Sequence, residues 1–322
     1  MSTPSDTPSR AAALSPLLIL CLAATWLVWG STYLAIKFAL ISFPPFFQMG
    51  TRFLLAGVLL LAWMRLRGRA MPTGREWLHA TVVGGLMLGG GMGGTAYAEQ
   101  TVGSGLVVAF IAVVPLMIAA VNLLWRVYPT RLEAAGIAVG LCGVLMLTQG
   151  AGFQASPAGL AAIAIACATW SVGSVLSQRS LPLAPGATGF ASEMICGGVL
   201  LLALSAIAGE APVWPPAPEA AAAWAYLVVF GSLIAFNAYM VLLARAPAAL
   251  ASSYTFVNPV IAMLLGVAIA GEQISGFEWA AAGVVLAGVV LLLFGLARRP
   301  RGPVPALPTT APATKQPHGE RP

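Results

Sequence analysis

The chain has 322 residues, of which 59% are hydrophobic and only 8% are charged, and its mean hydropathy is +0.89. A soluble domain carries roughly 25% charged residues, and no soluble fold of this size can bury so much apolar surface. The composition therefore excludes an ordinary soluble protein and predicts one embedded in a lipid bilayer. The net charge of +6 comes from lysines and arginines spread between apolar segments, so no nucleic-acid partner is expected.

Ten apolar stretches of roughly 20 residues follow one another along the chain and predict an all-α membrane protein with ten transmembrane helices. They cover residues 15–40, 46–63, 77–98, 104–125, 132–150, 157–178, 187–208, 222–243, 250–270 and 277–296. The first stretch is too long for a signal peptide, so it is interpreted as a membrane helix. The tails, residues 1–14 and 298–322, are rich in Pro, Thr and Ser and are predicted to be disordered.

Basic and acidic residues alternate between successive connections. If the N-terminus is inside, the cytoplasmic connections carry Arg65, Arg67, Arg69, Arg75, Arg126, Arg131, Arg179 and Arg245. The opposite connections carry Glu99, Glu210, Glu219 and Glu272. This is the positive-inside pattern. It predicts a multi-pass protein of the bacterial plasma (inner) membrane with both termini in the cytoplasm.

The sequence repeats itself at an offset of about 141 to 145 residues. The segment GVLLLA at residues 57–62 returns at 198–203, and Pro115 matches Pro259. Five helices is an odd number, so a second copy must enter the membrane in the opposite direction. The sequence therefore predicts two inverted repeats, residues 15–150 and 157–297, an architecture that supports outward-open and inward-open states.

Local signals predict where several helices begin, break or pack. Three S/T-x-x-E capping boxes are expected to open helices: Thr73–Glu76, Thr130–Glu133 and Ser275–Glu278. Pro115 and Pro259 are expected to break the fourth and ninth helices, either to expose carbonyls to a cavity or to kink the helix for packing. The glycine-rich residues 84–94 contain a formal G-x-G-x-x-G. No strand precedes it, so it indicates close helix packing rather than a nucleotide site.

Two sets of residues resemble a known family. They are WGSTYLAIK at residues 29–37 in the first half and Asn258-Pro259, Gly271-Glu272, Gly283 and Gly288 in the second. The pattern resembles the EamA-domain family of the drug/metabolite transporter superfamily, and most of all its bacterial YedA-type members. The resemblance covers residues 15–296 and implies ten helices, two EamA repeats and export or exchange of small organic solutes. The first half departs from it, with WRVY at residues 125–128 where Gly-Glu would be expected.

Arg52 and Glu193 are the charged residues placed deepest in the predicted helices. They lie 141 residues apart, at the same position of the two repeats. Charged side chains within a membrane are costly and commonly functional. Our hypothesis is that both face a central cavity, with Arg52 binding an anionic group or holding a gate and Glu193 binding a cationic group or a proton. The alternatives are snorkelling to the headgroups and a static buried pair.

An aromatic stripe runs along the first helix. Trp26, Trp29, Tyr33 and Lys37 are spaced by three and four residues and so share one face of a regular helix. This face either lines a pocket for a ring-bearing substrate or packs against other helices. Lys37 either contributes to substrate binding or gating or snorkels to the nearer interface.

Further polar and aromatic residues lie in apolar helices. Trp170 is the second-half counterpart of the stripe, and Tyr97 and Asn258 are expected to contact substrate as well as neighbouring helices. Glu99 and Glu272, at predicted outer helix ends, are expected to be solvated or to cap helices. The predicted substrate-binding or gating residues are thus Trp29, Tyr33, Lys37, Arg52, Tyr97, Trp170, Glu193 and Asn258.

These features favour a secondary transporter of metabolites, amino acids or drugs that works by alternating access. The sequence has no Walker motif and no metal-ligand or catalytic constellation, so neither a cofactor nor an enzyme is expected. A non-transporting sensory or structural subunit and a membrane-embedded lipid-modifying enzyme remain the alternatives. The expected partners are a small-molecule substrate and membrane lipid. The fifth and tenth predicted helices, rich in small residues, are expected to support the bundle or to form a homodimer.

Overall fold

A computed structural model describes residues 15–147, 149, 156–245 and 254–297. Every regular element within these residues is helical, which confirms the all-α prediction for this part of the chain. The predicted tails 1–14 and 298–322 lie outside the described residues. So do parts of the fifth and ninth predicted helices, at residues 148, 150 and 250–253.

The described residues form eleven helices, which we number α1 to α11, and a short 3₁₀ turn, Leu123–Trp125, directly after α5. They are α1 Pro16–Ala39, α2 Pro45–Leu66, α3 residues 74–98, α4 Ser104–Ile111, α5 Val114–Asn122, α6 Arg131–Leu147, α7 Pro157–Arg179, α8 Ala187–Ile207, α9 residues 218–245, α10 Tyr254–Ala270 and α11 Gly276–Ala297. Five of them, α1, α2, α7, α8 and α9, are long and apolar enough to cross a membrane by length and composition.

The local signals are largely confirmed. Each capping box forms, because the backbone N–H of Thr73, Thr130 or Ser275 donates to the glutamate three residues later. The fourth predicted helix does break, since α4 ends at Ile111 and α5 starts at Val114 with a proline in its first turn. The predicted break at Pro259 is wrong, because α10 runs through this residue. A helix tolerates an internal proline where surrounding groups satisfy the freed carbonyl.

Three helices contain a π-helical segment, which sequence spacing did not predict. The segments are Ala24–Val28 in α1, Gly85–Met92 in α3 and Leu227–Ile234 in α9. A π turn holds more residues than an α turn, so side chains beyond it are rotated relative to those before it. The segment in α3 is the glycine-rich stretch. A Cβ at Gly90 would lie 2.5 Å from Thr169 Oγ1, so these glycines let α3 pack closely on α7.

Two antiparallel helix pairs make the most extensive contacts in the described structure, α2 with α8 and α6 with α11. In the first pair Gly50 meets Leu202, while Gly57 meets Ala191 and Ile195. In the second, a Cβ at Gly143 would lie 2.5 Å from the backbone nitrogen of Val285. The small residues of the fifth and tenth predicted helices are therefore used within the chain, against each other.

The remaining helices make smaller contacts. Helix α3 packs on α7 and α8, α9 packs on α1 and α2, α10 packs on α1 and α4, and α5 packs on α7. One apolar core joins α1, α2, α3, α8 and α9, and a second joins α3, α4, α7, α10 and α11.

Candidate functional site

An aromatic cluster connects α1 with α8, α9 and α10. We define it as Trp29, Phe190, Phe236, Tyr239 and Tyr254. The Trp29 ring centroid lies 6.2, 5.1 and 4.9 Å from those of Phe236, Tyr239 and Tyr254, and Phe190 meets Phe236 edge-on at 4.3 Å. Trp29 Nε1 donates to the carbonyl of Gly231 at 3.2 Å. Such tilted ring contacts are favourable and hold the side chains in place.

Arg52 lies beside this cluster and is buried, with 3% of its surface exposed. Its Nε donates to Ser232 Oγ on α9 at 2.9 Å, and its guanidinium lies 4.8 Å from the centre of the Phe53 ring. No carboxylate within the described residues lies within ion-pair distance of it. A buried guanidinium without an anion keeps most of its desolvation cost, so Arg52 is a candidate anion-binding group.

Glu193 on α8 is also buried, at 4% exposure, and follows Phe190 of the aromatic cluster by one helical turn. The contact of Gly57 with Ala191 and Ile195 places Glu193 level with Gly57. Arg52 is five residues from that level, about 7.5 Å along the axis at 1.5 Å per residue. The two charged residues therefore lie at different depths, and no ion pair joins them within the described residues.

Two other predicted residues bind backbone or apolar core rather than the aromatic cluster. Asn258 is buried, and the amide orientation that satisfies it donates to the carbonyls of Trp26 and Tyr254, each at 3.2 Å. Tyr33 packs against the second apolar core. Trp26 packs against a separate group that includes Cys21 and Leu242. The stripe of the first helix is thus divided among three environments.

Tyr97 and Trp170 lie apart from the aromatic cluster. Tyr97 is 38% exposed and stacks on Phe46 of α2, with ring centroids 6.1 Å apart. Trp170 packs over Gly91 and against apolar residues that include Cys167. The predicted site residues therefore divide into a group around Trp29, Arg52 and Glu193 and several separate positions.

Lys37 belongs to a polar cluster at one end of the bundle. We define the Lys37 cluster as Lys37, Glu99, Ser104 and Glu272. Lys37 Nζ donates to Glu272 Oε1 at 2.6 Å, and Glu272 Oε1 also accepts from Ser104 N at 2.8 Å and Ser104 Oγ at 2.9 Å. Glu272 thus caps the first turn of α4, as expected. Lys37 pairs across the bundle instead of only extending towards solvent.

Glu99, which follows α3, differs from the expectation of a solvated or capping residue. It is 4% exposed, and neither carboxylate oxygen has a hydrogen-bond partner among the described residues. Burial raises the pKa of the Glu99 carboxyl well above its usual range, the charge of Glu272 raises it further, and Lys37 lowers it. The expectation fails because Ala98 and Val102, on either side of Glu99 in the chain, pack in the second apolar core.

The opposite end of the bundle has a different polar contact. Arg179, which lies 142 residues after Lys37 and ends α7, donates through Nε and Nη2 to Asn122 Oδ1 at 3.0 and 2.7 Å. Its guanidinium also lies 5.7 Å from the centre of the Trp125 ring. The two ends therefore differ: Arg179 binds a side-chain amide at this end, whereas Lys37 binds a carboxylate at the other.

Some residues near the site were missed by sequence analysis. Gln48 lies one turn before Arg52, is almost wholly buried, and has no partner for its amide among the described residues. Its spacing of four from Arg52 could have indicated it. Ser232 and Phe236 carried no such signal, because their contacts join helices that are distant in the chain.

A family comparison matches both halves of the chain. The model of the EamA-like transporter family matches residues 16–149 and again residues 157–294. The chain belongs to the EamA-like transporter family. This membership confirms the resemblance stated from the sequence, and with the apolar helices it identifies a multi-pass membrane protein.

Related EamA-like proteins extend along most of the chain. The uncharacterized inner membrane transporter YedA of Escherichia coli K12 is 42% identical over 286 residues, covering 88% of this chain and 93% of YedA. The uncharacterized transporter sll0355 of Synechocystis is 28% identical over 308 residues, covering 85% of this chain and 88% of that protein. A solved crystal structure with 24% identity and a TM-score of 0.61 covers 87% of this chain and 98% of its own, and is similar in fold.

An open groove of about 480 Å³ lies on this EamA-like bundle between α1 and α9. Its lining is mostly apolar and includes Leu34, Phe38 and Tyr226, and at its edge Ser31 Oγ and the Tyr226 hydroxyl are 2.7 Å apart. None of the eight predicted site residues lines this groove.

Proposed function

We propose that this EamA-like protein is a secondary transporter, an exporter or exchanger, that moves small organic metabolites, amino acids or drugs across the inner membrane. The single observation that carries the proposal is the burial of two charged residues close to an aromatic cluster, Arg52 and Glu193, neither of which forms an ion pair within the described residues. A static structural role would favour their direct pairing. A solute with polar and ring-bearing parts could satisfy both charged groups and the rings.

The proposed architecture is ten transmembrane helices in two inverted repeats, with α4 and α5 counted as one. The helix contacts support it, because exchanging the two sets of five helices leaves the pattern of pairs unchanged. In this exchange α1 replaces α7, α2 replaces α8, α3 replaces α9 and α6 replaces α11. The contact between α3 and α7 then corresponds to the contact between α9 and α1, and the pairs α2–α8 and α6–α11 each correspond to themselves. The family model, which matches once in each half, also supports a repeat.

The backbone after the fourth helix supports the repeat where the sequence departs from it. Arg126 adopts a left-handed conformation with φ of 57°, and Gly271, at the equivalent place in the second half, has φ of 65°. Glycine adopts this conformation at little cost, whereas arginine does not. The turn geometry is thus shared although the residue differs.

The proposed orientation is supported by the arginine-rich connections. With both termini in the cytoplasm, the Lys37 cluster faces the outer side and Arg179 faces the cytoplasm. Alternating access would then move one repeat against the other around Trp29, Arg52 and Glu193.

The proposal is tested by uptake and counterflow in proteoliposomes, with a pool of radiolabelled amino acids and cationic drugs and with or without a pH gradient. Arg52→Ala and Glu193→Gln should each lower flux roughly tenfold or more, the effect of losing a charged hydrogen bond. The exposed Arg67→Ala and Glu219→Gln are the matched controls. Wild-type flux in both buried-charge variants would rule out their proposed roles.

One contact favours a second candidate function, a sensory or structural subunit. Arg52 is held by Ser232 on a neighbouring helix, as a fixed role would require. Absence of flux for every tested solute from folded, correctly oriented protein would favour this function.

A further inference from the structure

The two carboxylates of the Lys37 cluster, Glu272 and Glu99, lie in the same cluster but differ in the number of hydrogen-bond donors that they receive. Glu272 receives Lys37 Nζ at 2.6 Å together with the backbone N–H and hydroxyl of Ser104 at 2.8 and 2.9 Å. Glu99 is as buried as the membrane-core residue Glu193, yet both its oxygens lack a donor in the part of the chain that the structure describes. Two buried carboxylates beside a single ammonium group cannot both remain charged without a large cost.

The groups around Glu99 favour a proton, rather than a metal ion, as the ligand of its carboxylate. Helix α1 contributes Lys37 and the Tyr33 hydroxyl, and the segment after α10 contributes Glu272. The start of α7, residues 157–163, contributes only small and apolar side chains. A metal ion would need several converging ligands and would be repelled by Lys37. A proton removes the charge of Glu99 and leaves the ion pair of Lys37 with Glu272 intact.

We propose that Glu99 is a proton-binding site that controls the contact between Lys37 and Glu272. A proton from the aqueous phase at this end of the bundle adds to a carboxylate oxygen of Glu99 and gives the neutral acid. When that proton leaves, Glu99 becomes a second anion that competes with Glu272 for Lys37. The contact that joins α1 to the segment following α10 is then weakened.

The structure makes this proton response specific to one end. The contact at the other end joins Arg179 to the side-chain amide of Asn122 and includes no carboxylate. A pH change therefore acts on the Lys37 cluster and leaves the Arg179 contact unaltered. Coupling of this site to solute movement rests on the proposed transport function, whereas the proton site itself does not.

The first test detects the proton directly, by infrared spectroscopy of the full-length protein in lipid nanodiscs across a pH series. Wild type should show the carbonyl stretch of a protonated carboxyl at neutral pH. Glu99→Gln should remove one such band, and the control Glu219→Gln, which changes an exposed acid, should not. An unchanged protonated-carboxyl signal in Glu99→Gln would overturn the proposal.

A second variant keeps the test valid if Glu99→Gln folds poorly. Glu272→Gln removes the neighbouring negative charge while Lys37 remains, so the midpoint of the Glu99 band should fall by about one pH unit or more. A midpoint that stays in place would show that the two carboxylates do not interact.

The third measurement tests the effect on the contact. The four native cysteines, all free thiols, are replaced by serine, and spin labels are placed at Gln100→Cys and Gln273→Cys, both on exposed residues. Raising the pH through the midpoint of Glu99 deprotonation should lengthen the distance between labels in the labelled protein that retains Glu99. The distance should stay short in the labelled protein that also carries Glu99→Gln. If the distance between labels responds to pH equally in both proteins, Glu99 does not control the contact between Lys37 and Glu272.

The proton site and the transport function can fail separately. A protonated-carboxyl band from Glu99 without any solute flux would reject transport but retain the proton site. Solute flux without that band would retain transport and reject the proton site.

Discussion

Arg52 on α2 donates to Ser232 on α9 at 2.9 Å, and this bond joins two helices whose residues are 180 positions apart in the chain. Ser232 lies in the π-helical segment of α9, next to Gly231, whose carbonyl accepts from Trp29. A Cβ at Gly231 would lie 3.0 Å from Arg52 Nη2. The π segment thus brings a small residue and a hydroxyl to the guanidinium, and π segments are frequent at functional sites.

Ser232→Ala should destabilise the protein because it leaves a buried guanidinium without this acceptor. A hydrogen bond to a charged group contributes about 1.5–3 kcal/mol. The measurement is thermal or denaturant unfolding in detergent, with Ser180→Ala, an exposed site, as the control. Equal stability of the two variants would mean that solvent or lipid replaces the lost bond.

Gly198→Val should disrupt the packing of α2 on α8. A Cβ at Gly198 would lie 2.6 Å from the backbone nitrogen of Leu54, which cannot move aside like a side chain. Overpacking of this kind costs about 1–3 kcal/mol or more. Gly276→Val is the control, because a Cβ there meets no atom within 4 Å. Retained folded yield and melting temperature in Gly198→Val would contradict the close approach of the two helices.

Lys37 and Glu272 should show a modest energetic coupling. The Lys37 side chain is 34% exposed, so solvent screening reduces the value of the ion pair to about 1 kcal/mol or less. A double-mutant cycle with Lys37→Met and Glu272→Gln, followed by unfolding, measures the coupling. Strictly additive effects would show that the 2.6 Å contact contributes nothing to stability.

The capping box at Thr73 should make stability depend on pH in a defined direction. Hydrogen bonds from the Thr73 backbone and hydroxyl lower the pKa of Glu76 below its ordinary value of 4.5. The ionised cap therefore stabilises α3 at pH values above 4.5, and this contribution is lost as the pH falls through the lowered pKa. The stability difference between wild type and Glu76→Gln should shrink on acidification. A difference that grows would contradict the assigned hydrogen bonds.

Much of the local architecture could be predicted from sequence because its causes are local. Apolar length defines the membrane helices, and a hydroxyl three residues before a glutamate forms the capping boxes at Thr73, Thr130 and Ser275. Pro115 indicated the break between α4 and α5 for the same reason, since a proline lacks the N–H that a continuous helix needs. Pro259 does not end its helix, since α10 runs through this buried residue.

The arrangement of the polar residues was decided by contacts between distant segments. Spacing along α1 predicted one face for Trp26, Trp29 and Tyr33, but α1 contains a π segment and the three residues pack in three different environments. Position near a helix end predicted a solvated Glu99, whereas packing against remote segments buries it. The sequence by itself determined that this is an apolar, helical membrane protein of the EamA type, because those properties follow from composition and short motifs. Only the tertiary structure decided which charges lack a partner, since burial and pairing depend on groups far apart in the chain.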